Sequence, residues 1–196
     1  MGHGHDDKHG RQRAEQAHSA HRHPHAEHDR VPGEHKARAP RSVKVYVITC
    51  SDSRTEATDE GGRILRDQLT RAGHVVTGSA IVPDDPQRIS AELDRAQAAG
   101  AQFALVTGGT GLSKRDSTFE AISRAVARPL PGFGELFRSL SYAEIGSAAM
   151  LSRAVAGQLQ SGLFVFAMPG SPAAVRLACE KLIVPELTHI LEELSR

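Results

Sequence analysis

Cysteine is scarce, with Cys50 and Cys179 the only two in 196 residues. Two thiols cannot build a disulfide scaffold, and their rarity suits a reducing compartment such as the cytoplasm. Long apolar runs are missing as well. The longest, Leu163–Met168, spans 6 residues, whereas a membrane helix needs roughly 20. No apolar stretch follows the N-terminus, so neither a secretory signal nor a membrane anchor is expected. Charge of one sign is also lacking, since 24 Lys+Arg face 23 Asp+Glu. That balance excludes the basic field with which nucleic-acid binders neutralise phosphates. Any anionic ligand must therefore be held by a few local donors.

What is present is unevenly spread. Nine of the 11 histidines fall in the first 35 positions. Residues 1–42 contain only 8 apolar side chains, six of them Ala, and no Leu, Ile, Phe, Tyr or Cys. From Val43 onward 69 of 154 residues are apolar, near the norm for a folded domain. The chain thus reads as a disordered His-rich arm, 1–42, followed by one domain, 43–196. The arm carries His-x-His spacings at His3, His5, His21, His23 and His25. Imidazoles so spaced can bind Ni²⁺, Cu²⁺ or Zn²⁺, although a solubilising extension has the same composition.

The domain alternates β-rich runs with helical patterns. Val43–Cys50, His74–Val82, Ala101–Thr107 and Leu163–Met168 predict strands. Between them, Glu60–Ala72 places Ile64, Leu65 and Leu69 on one helical face, and Asp85-Pro86 opens a second helix that stops at Gly100. Ser117-Thr-Phe-Glu120 fits a capping box, and Ser171-Pro172 repeats the cap-plus-proline start. The stretch Pro129–Gly157 reads as two or three short helices, with Arg153 in an Ala/Leu-rich one. Such alternation predicts a three-layer α/β/α domain with a mainly parallel sheet.

Ligands of open α/β sheets bind outside the carboxyl ends of the strands. That rule selects Ser51-Asp52-Ser53, Pro83-Asp84-Asp85, Gly108-Gly109-Thr110-Gly111 with the following Lys114-Arg115-Asp116, and Pro169-Gly170-Ser171-Pro172. Thr107–Gly111 carries the strongest signal. Glycines let a backbone approach a phosphate and aim N–H groups at it, though the same residues also make a plain tight turn. Asp84 and Asp116 follow strands by a few residues, so both would face one crevice. Two carboxylates beside a phosphate loop make sense with Mg²⁺ between them, since Mg²⁺ takes one or two carboxylates plus substrate phosphates. Capping and surface roles remain the alternatives. Arg153 either covers a core edge with its stem or reaches an anionic ligand.

Taken in order, Thr107–Gly111, Arg115-Asp116, Pro131-Gly-Phe-Gly-Glu135, Leu151-Ser-Arg153 and Pro169–Pro172 resemble the MoaB/MogA family of molybdenum cofactor biosynthesis proteins. The likeness covers essentially all of 43–196. Phe133–Arg138 and Ser141–Gly146 resemble the MoaB branch more than the MogA branch. The resemblance implies the molybdopterin-binding fold and transfer of AMP from ATP to the terminal phosphate of molybdopterin, with Mg²⁺ present and pyrophosphate released. It implies Asp84 and Asp116 as catalytic residues and metal ligands. It places the substrates on Thr107, Gly108, Gly109, Thr110, Gly111, Ser113 and Arg115, with Ser51, Asp52, Ser53, Ser152, Arg153, Pro169, Gly170 and Ser171 lining the pterin and nucleotide pockets. A homotrimer or hexamer is implied, with other molybdenum cofactor enzymes as further partners. The competing readings are a non-catalytic molybdopterin-binding, delivery or scaffold protein and a metal-handling protein acting through the arm.

Overall fold

A computed structural model describes residues 1–2, 42–113 and 116–196. The expected disorder and metal binding of the His-rich arm lie outside the described residues, as do Lys114 and Arg115. The chain runs β1 (Lys44–Cys50), α1 (Glu60–Arg71), β2 (Val75–Val82), α2 (Pro86–Ala98), β3 (Phe103–Thr107), α3 (Thr118–Ala125), β4 (Val126–Pro129) and α4 (Pro131–Ile145). A 3-10 turn (Gly146–Leu151), β5 (Val155–Leu159), β6 (Phe164–Met168), α5 (Pro172–Ala178), a π turn (Cys179–Ile183) and α6 (Leu187–Leu194) complete it.

One six-stranded sheet has the order β2-β1-β3-β6-β5-β4. Strands β2, β1, β3 and β6 are mutually parallel, while β5 pairs antiparallel with both β6 and β4. The four predicted strands are these four parallel ones. Strands β4 and β5 were not expected. Between Pro129 and Gly157 the structure has one 15-residue helix, a 3-10 turn and a strand where short helices alone were predicted. Arg153 accordingly sits in the segment leading into β5 and not in a helix. The reading failed because β4 is four residues ending in proline and β5 has Gly157 at its centre, both poor strand formers.

Alternation along the strands builds two cores. Val45, Val47, Phe103, Leu105, Phe164, Phe166 and Met168 face one side, against Ile64, Leu65 and Leu69 of α1, Phe133 and Phe137 of α4, and α5. Ile48, Cys50, Ala104, Val106, Val165 and Ala167 face the other, against Ile89, Leu93 and Ala96 of α2 and Ile122 of α3. Every residue of β3 and β6 is buried, as a parallel sheet covered on both faces requires. The first face is aromatic: Phe133 packs edge-on against Phe166 at 5.0 Å between ring centres, with Phe164 a further 5.1 Å from Phe166. Such pairs add about 0.5–1.5 kcal/mol beyond area burial.

Sheet order reverses between β1 and β3. From β1 the chain crosses outward to β2, and from β3 it crosses the other way, to β4 at the far edge, and returns through β5 to β6. The carboxyl ends of β1 and β3 therefore flank an open crevice.

Candidate functional site

A cavity of about 760 Å³ opens at that crevice, within the range of small-molecule sites. It is lined by loops from all four parallel strands. Ser51, Asp52 and Ser53 come from the end of β1, Asp84 from β2, Thr107, Gly108, Gly109, Thr110, Gly111, Ser113 and Asp116 from β3, and Pro169, Gly170 and Ser171 from β6. Ser152 joins them from beyond the 3-10 turn. Of the residues singled out in the sequence, Arg153 is described but is not in the lining, and Arg115 lies outside the described residues.

The glycine loop is packed against carboxylates. Gly108 and Gly109 hold φ of +95° and +61°, a region closed to most L side chains. A Cβ on Gly109 would collide with the Asp84 carboxylate and the Thr118 hydroxyl, and one on Gly111 would lie 2.6 Å from Asp116 Oδ2. Asp84 Oδ1 accepts from the Ser117 amide at 3.0 Å, the Ser117 hydroxyl at 2.9 Å and the Thr118 hydroxyl at 3.1 Å. The Asp84 amide donates to Asp52 Oδ1 at 3.3 Å, so one chain of bonds ties the loops after β1, β2 and β3. Asp116 Oδ2 accepts the Ser113 amide at 3.1 Å. Gly108 N–H donates to the Met168 carbonyl at 3.1 Å, and the Thr107 hydroxyl to the Pro169 carbonyl at 3.3 Å, which locks the glycine loop to the β6 loop.

The capping box expected at Ser117 does not form. Ser117 makes no side-chain cap bond, because its hydroxyl serves Asp84. Glu120 turns instead to Arg153. The amides at the start of α3 are also taken, Ser117 by Asp84 and Thr118 by the Gly109 carbonyl, so they are not offered to a ligand. Ser171 does cap α5, accepting from the Ala174 amide at 3.3 Å.

Sequence reasoning passed over Thr49, Cys50, Arg54, Asp59 and Gly61, which also line the cavity. Asp59 is buried and accepts from the Thr49 hydroxyl at 3.0 Å and the Gly62 amide at 2.9 Å, with Arg66 3.7 Å away. Its position directly before Glu60-Gly-Gly was the available signal, since a helix N-cap must stand there. Burial pushes the Cys50 thiol up to about 12, so it is a protonated wall group and no nucleophile.

Among the described residues the lining holds four carboxylates, Asp52, Asp59, Asp84 and Asp116, against one cation, Arg54. No cluster of three or more His, Cys, Asp or Glu placed to hold a metal occurs among the described residues. Magnesium needs less, because one or two carboxylates plus ligand phosphates complete its shell. The polar lining is rich in oxygen donors, which fits that hard cation and not a soft one.

A domain family described as a probable molybdopterin binding domain matches residues 46–189. The chain belongs to this family. It is 50% identical over 165 residues to molybdenum cofactor biosynthesis protein B of Bacillus anthracis, covering 83% of this chain and 97% of that protein. The crystal structure of the tungsten cofactor synthesizing protein MoaB from Pyrococcus furiosus superposes with a TM-score of 0.74 at 36% identity, over 81% of this chain and all of that one. A MogA structure gives 0.68 at 28% identity, over 77% of this chain and 99% of that one. The higher identity to the MoaB-named proteins agrees with a resemblance closer to the MoaB branch. The fold and a role in molybdenum cofactor biosynthesis are thereby established, and no helix among the described residues is long and apolar enough to cross a membrane.

Proposed function

We propose that the chain is a molybdopterin adenylyltransferase. An oxygen of the terminal molybdopterin phosphate attacks the α-phosphorus of ATP. The bond from that phosphorus to the β-phosphate oxygen breaks, and pyrophosphate leaves. The observation that carries this reading is the cavity at the switch point, where a glycine-lined wall and four carboxylates meet. Carboxylates beside phosphates repel unless a cation lies between them. Asp84 and Asp116 would hold Mg²⁺, which when bound neutralises phosphate charge. The protein itself contributes positioning: the loop Thr107–Gly111 with Ser113 and Arg115 holds phosphate, and Ser51–Ser53, Ser152 and Pro169–Ser171 line the remaining walls. The same reading includes a homotrimer or hexamer in the cytoplasm and exchange with other molybdenum cofactor enzymes. It is supported by the exposed Leu136, Tyr142, Ile145 and Met150, apolar side chains that an interface would cover.

One observation favours a second reading, a non-catalytic molybdopterin binder. Asp84 Oδ1 already takes three donors, so Asp84 has a structural task that would persist without catalysis. The deciding assay measures adenylylated molybdopterin formed from ATP, molybdopterin and Mg²⁺. Wild type is expected to turn over, and Asp116→Asn, which keeps an acceptor for the Ser113 amide but loses the charge, to lose about 10²-fold. Chelating Mg²⁺ should stop the wild type. Equally little product from wild type and variant would establish the binder.

A further inference from the structure

Arg153 is mostly buried, and each of its three guanidinium nitrogens has a protein acceptor. Nε donates to the Thr110 carbonyl at 2.7 Å, Nη2 to the Gly111 carbonyl, and Nη1 to the Glu120 carboxylate. The Phe119 ring lies 4.7 Å beneath it, and the Arg153 bond holds the Glu120 carboxyl below its ordinary range. A guanidinium spent on two consecutive carbonyls does something specific to the loop. Among the described residues no peptide is cis, and in a trans peptide the N–H points opposite the carbonyl. Turning the Thr110 and Gly111 carbonyls toward Arg153 therefore turns the Gly111 and Leu112 N–H groups to the loop's other side. Gly111 and Ser113, on either side of Leu112, line the cavity, while Leu112 itself and Arg153 do not. Among the described residues neither N–H has a protein acceptor.

We propose that Arg153, anchored by Glu120, is a positioning residue that turns the Thr110 and Gly111 carbonyls out of the cavity and so offers the Gly111 and Leu112 amides to a ligand phosphate. Arg153 itself touches no ligand. Successive amides directed to one side form an anion-binding concavity, while carbonyls left on that side would repel phosphate. The assignment rests on the reading of this cavity as a phosphate-holding site, but not on turnover. It gives Arg153 a third role, distinct from the core-edge cover and the direct ligand contact that the sequence left open.

Glu120 separates the clamp from direct contact. If Arg153 met phosphate directly, removing the Glu120 charge would free the guanidinium and tighten anion binding. If Arg153 acts through the loop, removing its anchor weakens binding. The experiment titrates molybdopterin calorimetrically into full-length wild type, Glu120→Gln, Arg153→Lys, Arg153→Met and the Glu120→Gln/Arg153→Met double variant, with thermal melting run on each. Arg153→Met is expected to raise Kd about tenfold, and Glu120→Gln to raise it in the same direction. Arg153→Lys should fall near Arg153→Met, because an ammonium lacks the fork that spans two carbonyls. The double variant should be no weaker than the worse single one, the signature of one unit. Binding by Glu120→Gln as tight as wild type or tighter, wild-type affinity in Arg153→Lys, or additive losses would overturn the clamp. Adenylylation is measured separately. A wild type that binds molybdopterin without making product removes the transferase reading and leaves the clamp standing. Normal turnover with unchanged Kd in Glu120→Gln does the reverse.

Discussion

Gly109 shows how tightly single positions are determined in the cavity wall. Its φ of +61° and the crowding of Asp84 and Thr118 at its α-carbon leave no room for a side chain. Gly109→Ala is expected to cost about 1–3 kcal/mol from backbone strain alone, with more from the displaced carboxylate. Thermal melting should fall accordingly, and molybdopterin binding should drop with it, since Asp84 must move. A variant that melts like wild type would show that the loop relaxes freely. The importance of this glycine was legible in the sequence because few other residues open a strand-to-helix loop this way. Asp84 and Asp116 were legible for a related reason, each being an acid a few residues past a strand. Arg153 was misplaced because its Ala and Leu neighbours mimic a helix, and nothing local announces bonds to carbonyls 43 and 42 residues away in sequence.

Among the elements, the antiparallel edge is the part that sequence pattern missed. Strand β4 approaches β5 so closely that a Cβ on Gly157 would sit 2.5 Å from the Arg128 carbonyl oxygen and 2.9 Å from the Pro129 α-carbon. Glycine is there for the backbone crossing, so it reads in sequence as a strand breaker although it permits the pairing. Gly157→Ala is expected to destabilise by about 1–3 kcal/mol, the usual cost of overpacking. Amide exchange at Val126–Arg128 should accelerate most. Neither β4 nor β5 lines the cavity, so molybdopterin affinity should hold. Uniform acceleration across β1 and β3 would instead mean that the edge is integral to the core. The parallel strands were easy to recognise because burial on both faces demands continuous apolar runs, as in Phe103–Val106 and Phe164–Met168.

For the molecule as a whole, the composition changes character at residue 42, with nine of the 11 histidines before it. Among the described residues, all those lining the cavity lie between Thr49 and Pro172. Removing residues 1–42 is therefore expected to leave molybdopterin binding and adenylyl transfer within about twofold of the full chain, checked by the same titration and product assay. Loss of either would assign the arm a part in the site. The near balance of charge is explained by the same architecture. Among the described residues the cavity is walled mainly by polar oxygens and backbone, with Arg54 its one cation.

The switch-point topology has a consequence in time. The cavity walls come from segments ending with β1, β2, β3 and β6, and the last of them, Pro169–Pro172, is more than a hundred residues downstream of the first. During synthesis at about 5–20 residues per second, the β1, β2 and β3 walls can be made seconds before the β6 strand that locks the glycine loop through Met168 and Pro169. The cavity is thus completed only once β6 and the Pro169–Pro172 loop have been made, and a shorter nascent chain carries its carboxylates and glycines without a pocket to put them in.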